Sequence, residues 1–206
     1  MDAPKTLASH PERAARTALL SQPHVEALAR LVERMRQAKG PSYEIPDFDP
    51  LDGGSNAQVL FLLEAPGPKA VASGFVSRNN PDETAKNFFL LNDAAGIDRR
   101  RTITWNAVPW YIGSGTKIRL AKRDDVREAD QWLKELLATL HQLRIVVFVG
   151  QKALHAQSVV QGCRPDVEVM AMPHPSPMFI NRASGNTERV MAALKELAAR
   201  MAASDA

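Results

Sequence analysis

Short, almost wholly apolar runs alternate along this chain with longer amphipathic stretches. The runs predicted as strands are Gln58 to Leu63, Thr102 to Val108, Arg144 to Val149 and Val167 to Met172. Apolar positions elsewhere recur at helical spacing, which predicts helices. These helices are expected at Pro11 to Lys39, Asp82 to Ala95, Asp124 to Gln142, Lys152 to Gln161 and Thr187 to Ala203. Apolar strands separated by helices indicate an α/β fold, a three-layer sandwich with a central four-stranded parallel sheet flanked by helices.

The length of 206 residues favours a single domain. We expect residues 1–56 to form an N-terminal helix and loop extension and residues 57–206 to form the α/β core. Proline and glycine punctuate the stretch Pro41 to Asn56, which predicts a loop on the surface. Two further long loops are expected, at Glu64 to Pro81 and Tyr111 to Arg123.

Composition limits the class of protein. The single cysteine, Cys163, excludes a disulfide framework and any all-cysteine metal or iron–sulfur site within one chain. The absence of a membrane-length apolar run and of a secretory pattern at Met1 to Lys5 predicts a cytoplasmic protein, which we expect to be a monomer. The formal net charge is +3, and arginine and lysine are concentrated between Asp98 and Arg127. This surface suits a polyanionic partner, although a solvated face of mixed charge explains the same residues.

Polar residues follow the predicted strands where parallel strands bring their carboxyl ends together. Right-handed crossovers place those ends at one edge of the sheet, which is where open α/β sheets bind their ligands. His174 lies between Pro173 and Pro175, which stiffen the loop and aim the imidazole. Glu64, Asn106 and the turn at Gly150 follow the other three strands. The sequence therefore predicts a functional site at this edge.

These motifs, in this order, resemble those of the uracil-DNA glycosylase superfamily. The resemblance is carried by Glu64-Ala65-Pro66-Gly67, Phe75, Thr104-Trp105-Asn106-Ala107-Val108, Gly150-Gln151-Lys152 and His174-Pro175-Ser176-Pro177. It spans about Val59 to Arg182 and implies the same four-stranded parallel sheet. It also implies a DNA repair enzyme that flips a deaminated base out of DNA and hydrolyses its N-glycosidic bond.

The resemblance implies roles for residues at the strand ends. His174 would hydrogen-bond the departing base, Asn106 would recognise uracil through its amide, and Glu64 would place the attacking water. Phe75 would stack on the flipped base, and the turn Ala65-Pro66-Gly67 would lie beside it. Each residue also has an ordinary structural interpretation: a loop-capping histidine, an asparagine ending a strand, a helix-capping or ion-paired glutamate and a core phenylalanine.

A second group of residues is implied to contact DNA. Ser176 would contact the phosphate backbone, and Met178 and Phe179, in a loop expected to face solvent, would form an apolar wedge in the minor groove. Lys152, at a helix N-terminus, and Arg182 are candidates for phosphate contacts. Met178 and Phe179 would otherwise pack the loop against the protein, and Lys152 would otherwise be a solvated lysine.

The chain also departs from parts of the superfamily. The branch with an iron–sulfur cluster needs four cysteines, and the basic loop Gly113 to Arg119 lacks the reactive histidine of one such branch. We therefore expect no cofactor, no metal and no covalent trapping of DNA. Uracil is the expected base, with hypoxanthine, xanthine and mismatched thymine as alternatives. A non-catalytic DNA-binding module and a small-molecule hydrolase or nucleotide-binding protein remain open.

Overall fold

A parallel sheet lies at the centre of the computed structural model, which describes residues 2–114 and 119–203. The strands are β1 (Asp47–Phe48), β2 (Val59–Leu63), β3 (Phe75–Val76), β4 (Thr102–Asn106), β5 (Ile145–Val149) and β6 (Glu168–Met172). Four of them form the central sheet in the order β4-β2-β5-β6, with every neighbouring pair parallel. The predicted fold class is confirmed.

Helices cover both faces of the sheet. They are α1 (His10–Ala18), α2 (Pro23–Lys39), α3 (Pro68–Ser73), α4 (Glu83–Ala94), α5 (Arg123–Thr139), α6 (Gln157–Cys163), α7 (Pro177–Ile180) and α8 (Asn186–Ala203). On one face α2, α5 and α6 pack on the even-numbered side chains of β2, including Leu60 and Leu62. On the other face α4 and α8 pack on Val59 and Phe61. This arrangement is the expected three-layer sandwich.

The edge strand β4 differs from its neighbours because it alternates in polarity. Ile103 and Trp105 point into the larger core, where the Trp105 ring stacks on Phe48 with centroids 3.6 Å apart. Thr102, Thr104 and Asn106 occupy the opposite face and are buried as well. One face of β4 is therefore both polar and buried, which is costly unless its groups find partners.

The N-terminal helix predicted at Pro11 to Lys39 is two helices, so that prediction is wrong. After α1 the chain tightens, with Leu19 N donating to Arg16 O, before α2 begins at Pro23. Proline has no N–H for an intrahelical hydrogen bond and is accommodated only in the first turn of a helix. The second helix is part of the main core, since Leu28 and Met35 are fully buried in it.

Two predicted loops contain regular structure. Pro41 to Asn56 is not confined to the surface: it contains β1, and Phe48 is 1% exposed. Glu64 to Pro81 contains α3 and β3, and β3 pairs in parallel with β1. The helix predicted at Lys152 to Gln161 is a 3₁₀ turn, Ala153–Ala156, followed by α6. In the Tyr111 to Arg123 loop, residues 115–118 lie outside the described part.

Buried charges join these N-terminal segments to the sheet. The Asp49 carboxylate is fully buried and accepts hydrogen bonds from Arg16 Nη1 and Arg99 Nη2, both at 2.5 Å, and from Ser77 Oγ. Nearby, Asp52 accepts from Arg99 Nε at 2.7 Å. Burial alone would raise the pKa of Asp49, but Arg99 and Arg16 hold it below its usual 3.8. The cluster therefore depends on an ionised Asp49.

Replacing Asp49 should be strongly destabilising because it leaves the buried Arg16 guanidinium without its counter-ion and removes one of the carboxylates that bind Arg99. We expect Asp49→Ala to lower the free energy of unfolding by about 3–5 kcal/mol, measured by urea denaturation at pH 7. The difference from wild type should shrink below the ordinary pKa of 3.8, since stability from a lowered carboxyl pKa is lost as pH falls through the folded-state value.

Glu26→Ala is the matched control, because Glu26 pairs with Arg30 at an exposed position four residues away. It should change stability by less than about 1 kcal/mol. Equal effects of the two variants would contradict a structural role for the buried cluster.

Candidate active site

A cavity of about 400 Å³ opens at the carboxyl ends of the central strands. Its size is within the usual range for small-molecule sites. The wall brings together six of the residues predicted for the site: Glu64, Ala65, Pro66, Gly67, Asn106 and His174.

Strand register places Glu64 beside Asn106. Leu63 of β2 pairs with Asn106 of β4, and the pairing continues beyond the strands through Ala107 N to Leu63 O at 2.8 Å and Val108 N to Glu64 O at 3.0 Å. The Glu64 carboxylate accepts a hydrogen bond from Ala121 N, which follows the long loop after β4. The carboxylate is thereby held at the cavity wall.

Asn106 presents a buried amide to the cavity. The residue is 3% exposed, and its Nδ2 has no hydrogen-bond partner among the described residues. An unpaired buried donor costs about 1–3 kcal/mol, and native proteins leave few of them. The amide donor is therefore available for a hydrogen bond at the cavity wall.

The His174 loop is held from two sides. Asn87 Nδ2 of α4 donates to Pro175 O at 3.0 Å, and Gly150 N donates to Met172 O at 2.9 Å. Burial lowers the pKa of His174 from 6.5, because an apolar environment disfavours the imidazolium ion. The imidazole is consequently neutral at physiological pH.

Glycine is required at position 150 for this approach. Gly150 has φ +84°, and a Cβ there would lie 3.1 Å from His174 Cβ. Gly67, by contrast, has φ −84°, which any residue adopts. The turn after β5, which the sequence marked as a strand end, thus supports the histidine that follows β6.

Phe75 lies outside the cavity wall. It is 2% exposed in β3, and its backbone N donates to Ser73 Oγ at 3.2 Å. The neighbouring wall is formed by Val76 and by Phe88 of α4. Stacking of Phe75 on a base stays a prediction, and Phe88 is the aromatic side chain that the structure places at the wall.

Comparison with known proteins agrees with the motifs. Residues 50–198 match the family model described as the Uracil DNA glycosylase superfamily. The chain belongs to this superfamily. The solution NMR structure of a candidate uracil DNA glycosylase from Methanosarcina acetivorans is similar over 69% of this chain and 92% of that chain, at 16% identity and a TM-score of 0.49. No curated protein matches.

The residues predicted to contact DNA lie outside the cavity wall. Met178 is 83% exposed, whereas Phe179 packs on the smaller core and Arg189 lies over its ring. Their segment is the short helix α7, capped by Ser176 Oγ, which accepts from Phe179 N at 3.3 Å. Of the two interpretations given for Phe179, the structure agrees with packing against the protein, and its contact with DNA stays a prediction. Arg182 is exposed, and Lys152 is half-buried beside the 3₁₀ turn.

Sequence reasoning missed several wall residues, notably Thr104, Arg78, Phe88 and Lys69. The Arg78 guanidinium is buried and donates to Thr102 Oγ1 at 2.8 Å. The alternation Thr-Ile-Thr-Trp-Asn in β4 was the available signal for Thr104, since side chains two residues apart share a face. No comparable signal existed for Arg78, which reaches the wall from a loop.

The described ranges, 2–114 and 119–203, contain no group of three or more histidine, cysteine, aspartate or glutamate side chains that could hold a metal ion. No helix within them has the length and apolar character needed to cross a bilayer.

Gly150→Ala should disturb His174 and destabilise the protein. A left-handed conformation costs a non-glycine residue about 1–2 kcal/mol, and the short Cβ contact should shift the imidazole. Urea denaturation would measure the loss of stability, and the NMR shifts of the His174 ring would measure the displacement of the imidazole.

Gly162→Ala, in α6, is the control, since nothing lies within 4 Å of its added Cβ. Alanine should stabilise that helix by up to about 1 kcal/mol and leave the His174 signals in place. Unchanged His174 signals in Gly150→Ala would contradict the support assigned to Gly150.

Proposed function

We propose that this chain is a DNA glycosylase that removes uracil from DNA and leaves an abasic site. The observation that carries the proposal is the unpaired, buried Asn106 amide on a cavity wall shared with Glu64 and His174. Membership of the superfamily supplies the reaction class. The proposal extends to the residue roles given next.

Recognition is assigned to the Asn106 amide. It offers a donor and an acceptor side by side and so pairs with O4 and N3–H of uracil. Flipping the base costs a few kcal/mol in lost stacking and pairing. Enclosure in a cavity with apolar surfaces such as Val76 and Phe88 contributes burial that offsets this cost.

Bond cleavage is assigned to His174 and Glu64. As the C1′–N1 bond breaks, its electron pair stays with uracil, which departs as an anion while the sugar becomes cationic. Neutral His174 donates a hydrogen bond to the base oxygen on which negative charge develops, the kind of contact that selectively stabilises a transition state. The Glu64 carboxylate faces the sugar cation and orients the water that adds to C1′ and then loses a proton.

The reaction is proposed to need no metal and no iron–sulfur cluster. A four-cysteine cluster does not fit the chain, whose single thiol, Cys163, is exposed in α6. We further propose that the enzyme is monofunctional and lacks strand-cleaving lyase activity. Lyase activity would need an amine close to the sugar. The exposed Lys69 lies at the cavity wall, so the absence of lyase activity is a testable part of the proposal.

The DNA-binding surface is proposed to lie around α7 and the turn after β5. Met178 is exposed as a wedge residue should be, and Lys152 and Arg182 supply positive charge for phosphates. Ser176 is assigned to the backbone of the same strand. Phe179 would act through the position of α7, since its ring packs on the protein.

The decisive assay uses labelled oligonucleotides that carry one uracil, either single-stranded or opposite guanine or adenine, with EDTA present. Alkali-dependent cleavage at uracil would support the proposal, and cleavage without alkali would indicate lyase activity. Release only from hypoxanthine, xanthine or mismatched thymine would replace uracil with that base. Salt-sensitive DNA binding without release from any substrate would indicate a non-catalytic binding module.

Asn106→Ala and His174→Ala should each slow uracil release by about 10²–10³-fold, the usual effect of losing a transition-state hydrogen-bond donor. Single-turnover rates at saturating enzyme would measure this, with thermal melts to show that the fold is retained. Gln37→Ala removes an exposed amide from α2 and should leave the rate unchanged. Wild-type rates in both site variants would overturn the site assignment.

The single-turnover rate of uracil release should fall as the pH drops below 6.5. Only neutral His174 leaves the pocket free of an unpaired cation, and burial lowers its pKa from 6.5. The same shift predicts that stability falls as pH drops below about 6.5, because the unfolded histidine binds the proton more tightly. Single-turnover rates and urea melts from pH 4.5 to 8 would measure both. His174→Asn should lose the stability change, and an unaltered profile would contradict this origin.

A further inference from the structure

The polar face of β4 divides into a satisfied part and an unsatisfied part. Thr102, at the start of the strand, is fully paired: its hydroxyl accepts from Arg78 Nη2 at 2.8 Å and donates to Arg99 O at 3.0 Å. Thr102 does not line the cavity, and its partners belong to the buried charge cluster. Its polarity is explained by the fold.

The fold does not explain the polarity of Thr104. It is 4% exposed, lines the cavity, and its Oγ1 has no hydrogen-bond partner among the described residues. Asn106, two positions further along the same face, also has an atom without a hydrogen-bond partner, its Nδ2. The two groups do not satisfy each other, so both remain available to a ligand.

Retaining the Thr104 hydroxyl costs the folded protein stability. A buried hydroxyl without a partner is unfavourable, and valine has nearly the same shape without the polar atom. β-branched valine also suits a strand at least as well as threonine. Nothing in the packing of β4 calls for an oxygen here, whereas a ligand in the cavity would use it.

We propose that Thr104 contacts the flipped base and donates a hydrogen bond to its exocyclic carbonyl oxygen, beside the bond from Asn106. This inference rests on the proposed glycosylase function and adds a residue that binds the base. A carbonyl oxygen has two lone pairs and accepts two donors at once. Thr104 and Asn106 can therefore share one carbonyl oxygen of the flipped base.

The contact should strengthen during the reaction. The leaving base becomes an anion whose charge spreads onto its carbonyl oxygens, and hydrogen bonds to charged groups are stronger than neutral ones. The loss of the hydroxyl should therefore appear in the rate of bond cleavage more than in substrate affinity. Loss of a hydroxyl with a purely structural role would change neither the rate of bond cleavage nor the affinity for substrate.

Thr104→Val and Thr104→Ser form the matched pair. Valine removes the hydroxyl and keeps the shape, whereas serine keeps the hydroxyl and removes the methyl group. Single-turnover release would be measured for uracil and for hypoxanthine, with melting temperatures for both variants. We expect Thr104→Val to lose about 10- to 100-fold in rate at an unchanged or higher melting temperature, and Thr104→Ser to stay within about threefold of wild type.

Each outcome separates this inference from the function on which it rests. If wild type releases the base and Thr104→Val does so equally fast, the contact is refuted and the glycosylase function stands. If wild type releases no base, titration with free uracil, followed by NMR, decides the contact. Binding that weakens in Thr104→Val but not in Thr104→Ser would support the contact without catalysis, and equal binding by wild type and Thr104→Val would refute the contact.

Discussion

Parallel strand pairing positions the three polar residues on which the candidate site depends, Glu64, Asn106 and His174. The pairing of Leu63 with Asn106, continued by Val108 N to Glu64 O, brings a carboxylate and an amide to one rim of the cavity. On the other side, β5 and β6 pair up to Met172, two residues before His174. A shift of one residue in either pair would turn the functional side chains to the opposite face of the sheet, so the site exists only in this register.

The cavity wall is supported by a cluster of buried ion pairs. Asp49 and Asp52 bind Arg16, Arg78 and Arg99, and so connect α1, the segments after β1 and β3, and the turn before β4. Breaking such a cluster is costly, although an apolar replacement of equal shape can be neutral. Through Arg78, which donates to Thr102, the cluster also reaches the polar face of β4. The N-terminal segments are therefore part of the support for the cavity.

The cavity combines an apolar enclosure with a few unsatisfied polar atoms. Val76 and Phe88 provide apolar surface, while Asn106 Nδ2 and Thr104 Oγ1 lack partners among the described residues. Hydrogen bonds made in such surroundings are strong because water does not compete for them. The same burial lowers the pKa of His174. One environment thus holds unpaired polar atoms and a neutral imidazole at the same cavity wall.

Local patterns in the sequence determined the strands, most of the helices and the polar residues at the strand ends, because apolar periodicity and proline or glycine act over a few residues. The order of the motifs also determined the superfamily. Only the tertiary structure decided the pairing of β1 with β3, the burial of Phe75 behind the wall and the meeting of Asp49 with Arg99. These depend on contacts between distant segments, whose short stretches carry too little periodicity to reveal a partner. Thr104 stands between the two cases: its face was readable from the alternation in β4, but its missing partner appears only when the cavity around it is formed.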